Sequence, residues 1–374
     1  LYSNKADRTM HRPFSLIIAM MMGWAAASSS ATSDDSQTTG TTPLVSKLAD
    51  QQFRRALSFY LGTAGKIDLQ LAEEHFVMAM DAGDPRATFW LARLVLMERI
   101  ESNVLINHYE THPKSLIELI LPELEKLAIS GDSAAQYCLL AAPLIADLSP
   151  LVTGSELLDQ LRLIAEKGEL SAMQNLANAY ASRLTYAKTD ETHEMHFRTA
   201  KMWATRAAEE GDAWSMYTLG LLFHDHSTTE SDKQHGLYWL RKSAARDHCD
   251  AQEKLGLILL DRGEGLDSAA REGFDWIHRA AAQGSRSAKM TRADCLATAH
   301  GTPQDMPAAF AQWLKVANLG DPRAMRYAGL CYLFGEGVDE DTQQARYWLQ
   351  QAANAGDENA AFFLDDLTTI LGRN

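Results

Sequence analysis

Apolar positions recur along the chain at helical spacing, in runs that come in pairs with glycine between them. The clearest pair lies between Gly320 and Gly356. Ala324, Ala328, Cys331 and Tyr332 fall four, three and one residues apart, which predicts one amphipathic helix, and Ala345, Trp348, Leu349, Ala352 and Ala353 predict a second. Asp321 and Asp341 stand where N-caps belong, Pro322 suits a first turn, and Gly320 and Gly356 suit the left-handed residue that closes a helix. Gly335-Glu336-Gly337 breaks the chain between the helices, and Val338 follows as an apolar plug. Neither helix can bury its stripe alone, so the pair must stack on copies of itself.

The copies are countable. Glycines in the same context stand at Gly83, Gly131, Gly168, Gly211, Gly284, Gly320 and Gly356, with Asp247 filling one gap, and the steps are 48, 37, 43, 36, 37, 36 and 36 residues. Four residues after these markers come Ala87, Ala135, Ala172, Ser215, Ala251, Ala288, Ala324 and Ala360. Trp203, Trp239, Trp276 and Trp348 stand eight residues before a marker, and Trp313 seven before; all five are expected to fill the core. A first pair is expected from Val45 to Met80, with Leu71, Ala72, Phe76 and Ala79 on its second buried face. After Gly356 one more helix carries Asp365-Asp366 where a neighbour would otherwise pack, the mark of a terminal cap. The expected fold is all-α: a right-handed alpha-alpha solenoid of about eight helix pairs plus a C-terminal capping helix, over residues 45–374.

These residues resemble the Sel-one-like repeats, a branch of the tetratricopeptide superfamily. The best copy meets that family's pattern with Ala324, Ala328-Gly329, Tyr332, Gly335-Glu336-Gly337-Val338, Asp341, Gln344-Ala345, Trp348 and Ala352-Ala353. Leu219-Gly220 with Trp239, and Leu255-Gly256 with Gly263-Glu264-Gly265-Leu266, repeat parts of it. Copies before residue 168 keep only the period and the Gly-Asp-x-x-Ala signal. The resemblance implies a non-catalytic scaffold that grips a protein or peptide, in an exported bacterial protein. Some secreted relatives staple each repeat with a disulfide pair; Cys138, Cys249, Cys295 and Cys331 lack that pattern and are read as small buried residues.

Two steps exceed the usual length, with the surplus around 101–114 and 182–194, where loops are expected. Lys5, Arg8 and Arg12 precede an apolar run from Phe14 to Ala27 and then small residues, so 1–27 is read as a signal peptide, with Met10 as a possible start. The run is too short to span a bilayer, and no stable membrane insertion is expected. Residues 28–44 are almost all polar and read as a disordered leader. The expected location is periplasmic or secreted.

A formal net charge of -14 argues against nucleic acid and anionic membrane as partners. Gly263-Glu264-Gly265 and Gly335-Glu336-Gly337 lack the third glycine and preceding strand of a nucleotide fingerprint, and no nucleophile elbow or phosphate loop occurs. No enzyme activity and no cofactor are expected. His193 and His196, with His224 and His226 one copy later, are the candidates for a loop-borne metal site, which an alternative role as exported effector or regulatory sensor would use. Positions three, seven and ten after each marker share a helix face and vary as a binding face should. Trp90, Arg93, Asn175, Asn178, Trp214, Lys254, Asp294 and Arg323 are the expected partner-binding residues, with Asn175, Asn178, Trp214 and Lys254 at the centre.

Overall fold

The structure is a computed structural model, and it describes residues 45–97, 112–146, 154–226 and 229–371. The expected signal peptide, the polar leader and most of the 101–114 surplus lie outside the described residues. Seventeen helices occur among the described residues. They divide between two compact units, the described residues up to 64 with those of 68–207, and residues 65–67 with the described residues from 208 on.

The first unit holds α1 (Lys47–Leu61), α2 (Leu69–Asp81), α3 (Pro85–Leu96), α4 (Pro113–Ile129), α5 (Ser133–Ala146), α6 (Gly154–Glu166), α7 (Leu170–Leu184) and nearly all of α8 (Asp190–Glu209). The second holds α9 (Ala213–His226), α10 (Glu230–Ala244), α11 (Cys249–Arg262), α12 (Ser268–Ala282), α13 (Arg286–Thr298), α14 (Met306–Ala317), α15 (Pro322–Phe334), α16 (Thr342–Asn354) and α17 (Glu358–Leu371). Consecutive helices pack as pairs, eight in all among the described residues, and α17 follows the last pair, placing Ala360, Phe363 and Leu364 against Leu349 and Ala352. The charged pair Asp365-Asp366 lies in α17, but its side chains are outside the described residues.

The boundaries follow from local chemistry. Every marker adopts a positive φ, from 85° at Gly83 to 106° at Gly284, and Asp247 takes the same left-handed conformation at 61°, which aspartate tolerates better than most residues. The next residue caps the following helix: Asp84, Asp132 and Asp321, for instance, accept the amides of Arg86, Ala135 and Ala324 at 3.0, 2.7 and 2.9 Å. Asp341 caps α16 through the amides of Gln343 and Gln344, and Gly335 ends α15 at φ 67°. All eight small residues four after a marker are fully buried. Nine residues after a marker, glycine lets paired helices touch. A Cβ on Gly220 would lie 2.7 Å from Leu240 Cγ, on Gly256 2.7 Å from Ile277 Cγ1, and on Gly329 2.8 Å from Leu349 Cγ.

That contact corrects part of the tryptophan expectation. Trp203, Trp313 and Trp348 are buried, but Trp239 and Trp276 are only half-buried, with Lys242 Nζ 4.9 Å from one ring and Arg279 Cζ 4.6 Å from the other. The following residues, Leu240 and Ile277, take the deep positions beneath the glycines. The 182–194 surplus is not a loop either. It extends α7 to Leu184 and lengthens α8 to 20 residues, leaving only 185–189 between them. Thr189 Oγ1 accepts the amide of Thr192, and Arg198 bonds Glu194 one turn back, so local chemistry favours helix there.

Candidate functional site

The expected binding face lies on the first helix of each pair, and in the first unit much of it is already occupied. Arg86, two per cent exposed, donates to Asp84, to Asp50 Oδ1 at 2.8 Å and to Asp132 Oδ2 at 2.6 Å, with its Cζ 4.3 Å from the Phe53 ring. Trp90, four residues on, is one per cent exposed. It stacks against Phe76 at 6.0 Å and Tyr137 at 5.9 Å. Trp90 is therefore a core residue and not a contact for a partner, because aromatic rings from α2 and α5 cover it. Ser171 is likewise fully buried.

Arg93, Asn175 and Asn178 remain nearer the surface. Arg93 is half-buried, its Cζ 4.6 Å from the Trp90 ring, and its Nη1 donates to Tyr137 Oη at 2.9 Å. Asn175 Nδ2 donates to the same oxygen at 3.0 Å and to Ser171 O at 2.6 Å. Burial pushes the Tyr137 phenol up to about 12, so it receives both bonds as a neutral group. Asn178 is exposed.

In the second unit the same face is more open. Trp214 is half-buried and meets the His248 ring edge-on at 4.3 Å, while Tyr217 stacks on that ring at 5.0 Å. Lys254 Nζ pairs with Asp225 at 3.2 Å. Asp294 accepts from Trp313 Nε1 at 3.1 Å and from Arg323 Nη2; burial holds its carboxyl above the usual range despite both donors. Arg323 is exposed beside Tyr327, which stacks on Trp313 at 4.7 Å. A half-open cleft of about 440 Å³ is lined by His224, Glu230, Lys233, Lys254, Leu257, Ile258, Asp261 and Arg262. Its apolar floor includes Leu257, 40% exposed, beside the ion pairs Lys254–Asp225 and Arg262–Glu230.

Sequence reasoning missed what the capping residues do besides capping. Within each unit they also take a contact from the first helix of the preceding copy. Asp132 accepts from Arg86, Glu169 from Ser133 at 3.5 Å, and Asp357 from Arg326 at 3.0 Å. His248 receives the Tyr217 ring, and Ser285 donates to Glu253 Oε2 at 2.6 Å. One side chain thus ends the orphan amides of its own helix and sets the register of the copy before it. The signal was available: a polar residue two, three or six after one marker faces a cap one copy later.

His193 and His196 lie on helix α8 and not on a loop, with the His196 ring 5.9 Å from Tyr180. His224 and His226 end α9, and His224 Nδ1 is 2.7 Å from Asp225 Oδ1. Among the described residues no group of three or more metal-ligating side chains converges. Cys138, Cys295 and Cys331 are buried, and burial raises the Cys295 thiol to about 11 and the Cys331 thiol to about 12, which removes the thiolate a nucleophile needs. Cys249 is only half-buried and donates weakly to Ala280 O at 3.7 Å. Among the described residues no helix is long and apolar enough to cross a membrane.

Comparison with known proteins agrees with this architecture. The family model of the Sel1 repeat matches residues 197–212, 215–248, 249–285 and 322–357. The crystal structure of c5321, a protective antigen of uropathogenic Escherichia coli strains displaying an SLR fold, is 21% identical, with a TM-score of 0.57 over 86% of this chain and 64% of that one. A Sel1 repeat protein from Oxalobacter formigenes is 24% identical over 55% of this chain and 82% of its own, with a TM-score of 0.47. An uncharacterised protein of Neisseria meningitidis serogroup B is 25% identical over 164 residues, 44% of this chain; the match spans about a third of that relative's length, 34%. Sel1 repeats generally mediate protein–protein interaction, and proteins built from them are typically non-catalytic. Sel1 repeats thus occupy four stretches of this chain, set among further helix pairs of the same kind, in the fold that c5321 displays.

Proposed function

We propose that this chain is a non-catalytic interaction scaffold of the bacterial cell envelope, exported by residues 1–27, that binds a protein or peptide along the faces of its first helices. The observation that carries this reading is the α11 cleft. Leu257 and Ile258 offer apolar surface, Lys254 and Arg262 stand paired at its sides, and the half-open shape admits a side chain. Apolar ground rimmed by polar groups is how protein interfaces are built. Net charge of -14 favours a protein over a nucleic acid as the occupant.

Photo-crosslinking tests it. A crosslinking amino acid in place of Leu257 or Arg323 should yield a discrete adduct with one partner in the native cell, and the same residue in place of the exposed Asp275 or Gln350 on second helices should not. Adducts arising only from second helices, or only from residues 98–111, would move the site off the first-helix face. Export is checked by fractionation with N-terminal sequencing: the mature chain should begin after residue 27 and lie outside the cytoplasm.

A further inference from the structure

Five cations stand at positions three, six, seven and ten after the markers: Arg86, Arg93, Lys254, Arg323 and Arg326. Four have aspartate partners: Arg86 with Asp50, Asp84 and Asp132, Lys254 with Asp225, Arg323 with Asp294, and Arg326 with Asp357. Arg93 has no carboxylate partner among the described residues. Its guanidinium rests 4.6 Å from the Trp90 ring and 6.0 Å from the Tyr137 ring, and its one hydrogen bond runs from Nη1 to the Tyr137 phenol. The rings and that neutral oxygen hold the cation in place without neutralising it. A charge drawn partly out of water without a counter-ion is costly, and arginine cannot shed its proton to escape the cost.

The fork is also presented in one direction. With Nη1 engaged, the Nε–Nη2 edge carries no hydrogen bond among the described residues, and two parallel N–H groups match the two oxygens of a carboxylate. Asn175 Nδ2 donates to the same phenol oxygen and to Ser171 O, so both its hydrogens are engaged and it helps to fix the oxygen that holds Arg93. A nucleobase does not fit here, since Trp90 is already covered by Phe76 and Tyr137 and offers no open ring face.

We propose that Arg93 anchors the side-chain carboxylate of an aspartate or glutamate in a bound peptide, which supplies the counter-ion that the described residues do not. The inference rests on the reading that first-helix faces bind a peptide, and names the chemistry that one of them selects.

The test is selection of displayed random peptides against the full chain, with one library embedded between flanking protein segments and a second ending in a free C-terminus. An enriched peptide and its Asp→Asn or Glu→Gln counterpart are then compared by fluorescence anisotropy. Wild-type protein should prefer the acidic form by roughly tenfold to a hundredfold, the range of a charge-assisted hydrogen bond. Arg93→Gln should bind both forms equally, at the affinity wild type shows for the amide form. Arg93→Lys should keep part of the preference. Asn175→Asp, which supplies a carboxylate beside Arg93 from within, should lose it while retaining the Trp90 packing, and so covers the case in which Arg93→Gln fails to fold. An acid preference that survives Arg93→Gln or Asn175→Asp overturns the inference and leaves the peptide-binding reading standing. Enrichment confined to the free C-terminus library overturns the side-chain assignment. Failure of both libraries to enrich any peptide overturns the peptide-binding reading, and this inference with it.

Discussion

Replacing Arg86 by methionine should be among the most damaging single changes in the first unit. Methionine keeps the length and apolar stem, so packing against Phe53 survives in part, and what disappears is the charge and its fork. Asp84 is the partner that suffers, because it is fully buried and receives both Nε and Nη2 of Arg86. Asp50 and Asp132 are 35% and 21% exposed at their side chains and can turn to water. Removing one member of a buried ion pair costs about 3 to 5 kcal/mol, mostly the cost of the charge left behind. The double change Asp84→Asn with Arg86→Met removes that stranded charge while asparagine still caps α3, so it should recover about half of the loss. Urea unfolding followed by circular dichroism gives the energies, and hydrogen exchange in α3 localises them. If the single variant loses under 1 kcal/mol, or the double variant is no more stable than the single, the carboxylates are not held by Arg86 in the way described.

Asp212 is fully buried, and burial raises its carboxyl to about 6 despite bonds from Ser215 and the Trp214 amide. Because the folded state holds this proton more tightly than the unfolded one, stability should fall as pH rises from about 4 to 6, by at most roughly 3 kcal/mol. Asp212→Asn should remove that slope, and urea midpoints whose wild-type-minus-variant difference stays constant from pH 4 to 7.5 would contradict it. Trp203→Ala should cost about 3 to 5 kcal/mol, but half-buried Trp276→Ala only roughly 1 to 2 kcal/mol; equal losses in denaturant melts would show the burial difference to be irrelevant. Gly329→Ala gains about 1 kcal/mol of helix propensity, yet its Cβ would meet Leu349 Cγ at 2.8 Å and Leu349 N at 3.1 Å, so the variant should be net less stable by about 1 kcal/mol. A raised thermal midpoint would mean that the helices part freely.

The marker series, its caps and the small buried residues were legible in the chain because each depends on short-range geometry. A left-handed turn needs glycine or a residue such as Asp247, an N-cap needs a short polar side chain, and the residue four past the marker lies where two helices cross. The pairing of the described helices followed from that period. The candidate site was less legible. Helical phase put Trp90 and Arg93 on one face with Asn175, and correctly grouped them, but whether that face meets solvent depends on the neighbouring copies. Phe76 and Tyr137, 14 residues before Trp90 and 47 after it, bury Trp90; nothing in α3 announces their approach. Trp239 and Trp276 are a related case: the deep positions against Gly220 and Gly256 go to Leu240 and Ile277, yet Trp348, beside Leu349 in the same place against Gly329, is buried, so the depth of each ring is set by more than its own helix pair. Periodicity along one helix assigns a side chain to a face, while burial is a property of two surfaces in contact, and the second surface is set only when the chain has stacked on itself.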